Sequence, residues 1–296
     1  MNGIKQIFVT SFMPLRQRDL AIYLSGQAVS LIGTWLQVTA QGWLVWDLSN
    51  STAALGIVTA LATLPLLILI PFTGPISDRY DRRILLIGTQ VTAMLLAFIL
   101  AFLIQTALVE LWHVYLLALV LGIVTALDFP AQQAFLGDLS GMEMVRPAIN
   151  LNAILLQVSR ISGSALAGVT ITKFGMASSF WLNGLTFVAV IASLLAVNTQ
   201  SIPRPRTGSP FHDLVESLRF VQTQPRLLDI LLLVFFSAFF GLGILNIMPA
   251  FASEALRGGA HELGWLLAAS GIGALVSVVI VIPILNTLKR LALHLP

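Results

Sequence analysis

Five polar side chains, Gln27, Ser30, Thr34, Gln37 and Gln41, recur at i, i+3, i+7, i+10 and i+14, which on a helix makes one continuous stripe. Amides and hydroxyls in that register can hydrogen-bond a polar guest along a path, or bond one helix to another. Hydrocarbon offers them no partner, so the stripe is expected to look into protein or a water-filled cavity. A cavity is favoured, because helix contacts inside a bilayer prefer small residues. A shorter group follows at Thr125, Asp128 and Gln132, with Pro130 inside it. Asp128 is a carboxylate well inside an apolar run, able to hold a proton, and Arg160 is a cation in the next run. Buried charges are normally paired, which leaves two readings: Asp128 with Arg160, or Asp128 with Arg82 or Arg83. The third group is the charged stretch Gly74-Pro75-Ile76-Ser77-Asp78-Arg79-Tyr80-Asp81-Arg82-Arg83 between two apolar runs. Its chemistry suits a gate: a glycine at a helix end lets backbones approach, a carboxylate can cap a neighbouring helix, and arginines stay in the headgroup layer while pairing across helices.

The elements that must hold these groups follow from composition. Apolar residues make up 57% of the 296 and charged residues only 10%, which excludes an ordinary soluble domain. Eight apolar segments are each near the length that crosses a bilayer, at 20–46, 53–73, 84–104, 111–136, 147–172, 180–197, 227–252 and 263–285. Without period-2 alternation they are helices, so the expectation is an all-α polytopic membrane protein. Placing the N-terminus in the cytoplasm puts the basic stretches around Arg16, Arg82, Arg146, Arg206, Arg219 and Arg290 inside and leaves only Lys173 and Arg257 outside. Both termini are then cytoplasmic. Trp43, Trp46, Trp112, Trp181 and Trp265 fall at the outer ends of their segments, where interfacial anchors belong. The pI near 9.7 reflects this loop bias rather than a nucleic-acid surface. There is no cysteine and the four histidines are scattered, so no metal or cofactor is expected. Neither Gly-x-Ser-x-Gly nor His-Glu-x-x-His occurs, which argues against an enzyme.

Three regions are expected: a six-helix bundle over 1–198, a cytoplasmic linker over 199–226 and two further helices over 227–296. Within the linker, Ser209-Pro210 followed by Phe211, Leu214, Val215, Leu218 and Val221 reads as a short amphipathic helix on the cytoplasmic face. The chain also repeats itself, since Leu55-Gly56 aligns with Leu263-Gly264 and the same offset lays Gly74 to Arg83 over Ile282 to Leu291.

Gly74, Asp78, Arg79, Arg82 and Arg83 resemble the loop between the second and third helices of major facilitator superfamily transporters. Arg160-Ile161-Ser162-Gly163-Ser164-Ala165-Leu166-Ala167-Gly168 resembles that family's fifth-helix pattern, with Ser164 where proline is usual. With Trp43, Trp46, Asp128-Phe129-Pro130-Ala131, Gly271 and Gly273, residues 15–285 resemble the enterobactin-exporter-like branch of siderophore and drug exporters. The resemblance implies a secondary transporter of the bacterial inner membrane, exporting a small amphipathic molecule by alternating access and drawing on protons. It implies one complete six-helix half plus the first two helices of a second, as if truncated after the eighth. An inactive or accessory protein that does not transport alone is the rival reading. On either, Ser237, Asn246, Ser270 and Ser277 are expected to face lipid or a partner subunit that replaces missing helices.

Overall fold

The structure, a computed structural model, describes residues 12–197, 216 and 219–277. Every regular element among them is helical, with no strand. A 3-10 turn at Met13–Arg16 leads into α1 (Arg18–Ser49), followed by α2 (Thr52–Arg79) and α3 (Arg82–Gln105). A single run, Leu111–Phe174, is broken at Gly141, whose φ of 64° and ψ of 171° are open essentially to glycine alone. It therefore counts as α4 (Leu111–Met142) and α5 (Met144–Phe174). Then come α6 (Met176–Ala196), α7 (Pro225–Asn246) and α8 (Ala260–Val276), with a short helical turn at Met248–Ala250 and a π turn at Phe251–Ala255 between the last two.

Local chemistry sets the junctions. Asn50 and Ala107 take positive φ just beyond α1 and α3, and Gly175 does so between α5 and α6. Ser51 Oγ accepts from the Ala54 N–H at 3.4 Å at the start of α2. The expected charged turn is shorter than the sequence suggests, because α2 runs on through Gly74 to Arg79 and the chain leaves helix only at Tyr80–Asp81. The capping carboxylate is Asp81, which accepts from the Arg83 N–H at 2.8 Å and so starts α3.

Among the described residues, five helices are long and apolar enough to cross a membrane: the Thr52–Leu69 part of α2, α3, α4, α5 and α6. At 32 residues α1 is longer than a bilayer requires, but its polar stripe dilutes its hydropathy. The described apolar parts of α7 and α8, Leu227–Ser237 and Ala260–Val276, are shorter. The proposed amphipathic helix at 209–221 lies outside the described residues except at 216 and 219–221, and the second gate-like stretch at 282–291 lies wholly outside them.

Two compact units form, each from separated stretches of chain. One takes residues 12–40, 136–197 and 260–277 as far as they are described. Its helices meet through glycine. A Cβ on Gly163 of α5 would strike the backbone of Ile32 and Leu36 in α1, and one on Gly264 of α8 would come within 2.7 Å of the Ser164 carbonyl of α5. Such close approach is how helices gain dispersion contact where lipid removes the hydrophobic drive. Leu20, Leu24, Leu36, Leu151, Phe180 and Leu194 fill its centre. The other unit takes residues 41–135 together with 216 and 219–259. There Gly122 of α4 faces the Leu61 and Ala62 carbonyls of α2, around Leu55, Leu86, Leu100, Val114 and Phe135.

Both units are built with polarity reversed relative to a soluble protein. Gln27, Gln37, Gln90 and Asn183 are buried while Leu67, Ile84, Leu185 and Leu233 are exposed. That arrangement is stable only where hydrocarbon is the solvent. Trp112, Trp181 and Trp265 are exposed as anchors would be, but Trp46 is packed into the core.

Candidate functional site

Along α1 the stripe is turned inward. Gln27, Ser30 and Gln37 are buried, Thr34 and Gln41 are half-buried, and Val29 and Val38 on the opposite side are 44% and 50% exposed. The polar face is held in part by the protein itself: Asn183 Nδ2 of α6 donates to Gln37 Oε1 at 2.7 Å, and the Thr34 hydroxyl donates to the Ser30 carbonyl at 3.0 Å. Asn183 is a partner that sequence reasoning missed. Its signal was a lone amide in the apolar run of α6, but nothing local ties it to Gln37, 146 residues earlier.

In the other unit, α4 presents Asp128 to α3. The carboxylate accepts from the Thr89 hydroxyl, from Gln90 Nε2 at 3.0 Å and from Gln132 Nε2 one turn along its own helix. Three uncharged donors thus stand where an arginine was expected. The physical reason is reach and supply: a Thr-Gln pair on the facing helix brings two donors to one oxygen, and i, i+4 spacing brings Gln132 to the other. Thr89 and Gln90 were the missed residues here. Gln132 serves Asp128 rather than standing free, and Thr125 is exposed with its hydroxyl turned back to the Leu121 carbonyl at 2.8 Å.

In the charged stretch, Gly74, Asp78 and Arg79 lie on the last turns of α2, and Arg82 and Arg83 open α3 half-buried. Only Tyr80 and Asp81 separate the two helices here.

Arg160, on α5, also departs from the expected ion pair. Nη2 donates to Ser270 Oγ of α8 at 2.8 Å, and Cζ lies 5.1 Å from the centre of the Trp35 ring of α1. Ser270 was expected to face lipid or a partner subunit, whereas it is half-buried and engaged; Ser237 and Ser277 are exposed. Nearby Ser164 is fully buried, its Oγ 3.0 Å from the Thr39 hydroxyl of α1. The helix keeps helical dihedrals through this position, where the resembled pattern has proline. Among the described residues, no group of three or more His, Cys, Asp or Glu is placed to hold a metal ion.

Polar groups are thus enclosed in each unit: an amide face on α1 and an arginine on α5 in the first, a carboxylate on α4 in the second. A family model described as "Transmembrane secretion effector" matches residues 9–293. An uncharacterized MFS-type transporter, YfiS, of Bacillus subtilis is 29% identical over 279 residues, covering 89% of this chain and 64% of that protein. The staphyloferrin A transporter of Staphylococcus aureus is 21% identical over 265 residues, covering 89% of this chain and 67% of its own length. Macrolide efflux protein A of Streptococcus pyogenes is 26% identical over 195 residues, covering 66% of this chain and 46% of its own. The chain thus spans about two thirds or less of the length of these relatives. With nearly its full length matched, the chain belongs to the transmembrane secretion effector family of major facilitator superfamily transporters.

Proposed function

We propose that these residues belong to an exporter of small amphipathic molecules, in the siderophore and drug branch of the superfamily, that works by alternating access in the bacterial inner membrane. The observation that carries this reading is the inward amide face of α1, with Gln27 and Gln37 buried and Val29 and Val38 outward. A helix that only anchored a protein would have no use for such a face, since each amide there costs free energy unless it finds a partner. Gln27, Ser30, Thr34, Gln37 and Gln41 line the path in this reading, with Gln37 held in place by Asn183. The relatives supply the substrate classes to test: one is named for a siderophore and others for macrolide efflux.

Gly74, Asp78, Arg79, Arg82 and Arg83 act as the cytoplasmic gate, joining α2 and α3. Asp128 is the residue we assign to proton coupling.

Inverted membrane vesicles carrying the protein should accumulate a macrolide or staphyloferrin A when a proton gradient is imposed, and a protonophore should stop them. Uptake no faster than in vesicles lacking the protein would overturn the export reading; uptake indifferent to the protonophore would remove only the coupling. Because the sequence has no cysteine, single cysteines placed at Gln27 or Gln41 can report accessibility without background. Alternating access requires that substrate change which side labels them.

A further inference from the structure

Arg160 stands near the middle of its helix, about 24 Å from Met144 at 1.5 Å per residue. A guanidinium at that depth is costly unless something of opposite charge meets it. Among the described residues its single hydrogen-bond partner is Ser270 Oγ, at 2.8 Å. Its plane is backed by Trp35, with 5.1 Å from Cζ to the ring centre. Both neighbours are neutral. Nε is buried without a partner, and so is Gln157 Oε1, one turn earlier on the same helix. Room has been left for the arm, because a Cβ on Gly271 would lie 3.6 Å from Arg160 Cγ and 2.8 Å from Ile161 Cγ1. The protein has therefore built a place for a cation and satisfied only part of its hydrogen-bonding capacity.

We propose that Arg160, positioned by Ser270 and Trp35, binds the carboxylate of a small amphipathic anion, and that such anions are the class of substrate carried. The planar guanidinium matches a carboxylate in shape and charge. The Trp35 face offers an apolar wall beside it, so recognition favours an acid attached to a flat or greasy body. A lipid phosphate carries the same charge, but it would have to leave the headgroup layer to reach the middle of the helix. The inference rests on the exporter reading and narrows it.

The test is binding to the full chain in phosphatidylcholine nanodiscs, read by quenching of tryptophan fluorescence. 2-Naphthoate is the probe, and 2-naphthamide, the same ring without charge, is its control. Naphthoate should bind about tenfold or more tightly than naphthamide, and Arg160→Gln should abolish that preference. Arg160→Lys, which keeps the charge and loses the fork, should retain part of it. In the unmutated protein labelled with 15N-arginine, naphthoate should shift the Arg160 side-chain signal, a readout that does not depend on a variant folding. Equal binding of the two probes by the unmutated protein, or a preference that survives Arg160→Gln, would overturn the proposal. So would displacement of naphthoate by phosphatidylglycerol in the nanodisc, which would make this a lipid site. None of these failures touches the export reading, which stands or falls on vesicle transport.

Discussion

Asp128 and Arg160 are both charges set inside membrane-crossing helices, yet the protein treats them in opposite ways. The carboxylate is enclosed by three donors from two helices, Thr89, Gln90 and Gln132, and its two oxygens are both engaged. The guanidinium donates to one hydroxyl and lies against the face of one indole, and Nε is left unpaired. A charge whose hydrogen bonds come from its own helix and the next one is part of what holds those helices together. A charge left half-provided for contributes little to stability and remains open to a partner from outside. Burial and sign alone would have put the two in one category; counting donors and acceptors separates them.

The strongest test of this contrast is Asp128→Ala. It removes three hydrogen bonds at once, though the Thr89 hydroxyl keeps the Leu86 carbonyl at 2.9 Å, and at roughly 1 kcal/mol net for each it should destabilise the protein by about 2–3 kcal/mol, read as a lowered thermal midpoint in detergent. A midpoint unchanged from the parent would mean that the cluster does not hold α3 to α4.

Next in size is Gly264→Ala. The added methyl meets the Ser164 carbonyl, so α8 must move off α5, at about 1–3 kcal/mol for overpacking. The same shift should take Ser270 away from Arg160, and naphthoate binding should weaken while the Asp128 cluster keeps its hydrogen-exchange protection.

Arg160→Met should go the other way. Removing a cation that lacks a counter-charge should leave stability unchanged or raise it by up to about 2 kcal/mol, while binding of the anionic probe is lost. A large loss of stability here would show that Arg160 is as structural as Asp128, and the contrast would collapse. The smallest effect is expected from Ser270→Ala, about 0.6 kcal/mol by the average for hydrogen bonds between membrane helices, with a modest loss of naphthoate affinity.

Much of the architecture was legible in the chain. The apolar runs reappear as helices, five of them among the described residues long and apolar enough to cross a bilayer, and the register of Gln27 through Gln41 places their side chains on one face whatever that face meets. What was read wrongly lies at helix ends and between helices. The charged stretch after Gly74 looked like a turn because glycine, proline and charges usually make one, but α2 continues through it, and the carboxylate that caps the next helix is Asp81. Asp128 was expected to seek an arginine because opposite charge is the simplest partner to name. Two of its three donors lie 38 and 39 residues away on α3, where a threonine and a glutamine in an apolar run carry no local mark of what they will meet.

By itself, then, the sequence determined what its solvent would be and which faces could not touch it. Length, apolarity and period are properties of single segments, and the bilayer acts on segments one at a time. Only tertiary structure decided which polar group would satisfy which. Gln37 with Asn183, Ser164 with Thr39 and Arg160 with Ser270 are meetings between helices far apart in the chain. They depend on glycines such as Gly163 and Gly264 that let backbones come close enough for short side chains to reach. Those distances belong to the packing of several helices together, and no one of them encodes it alone.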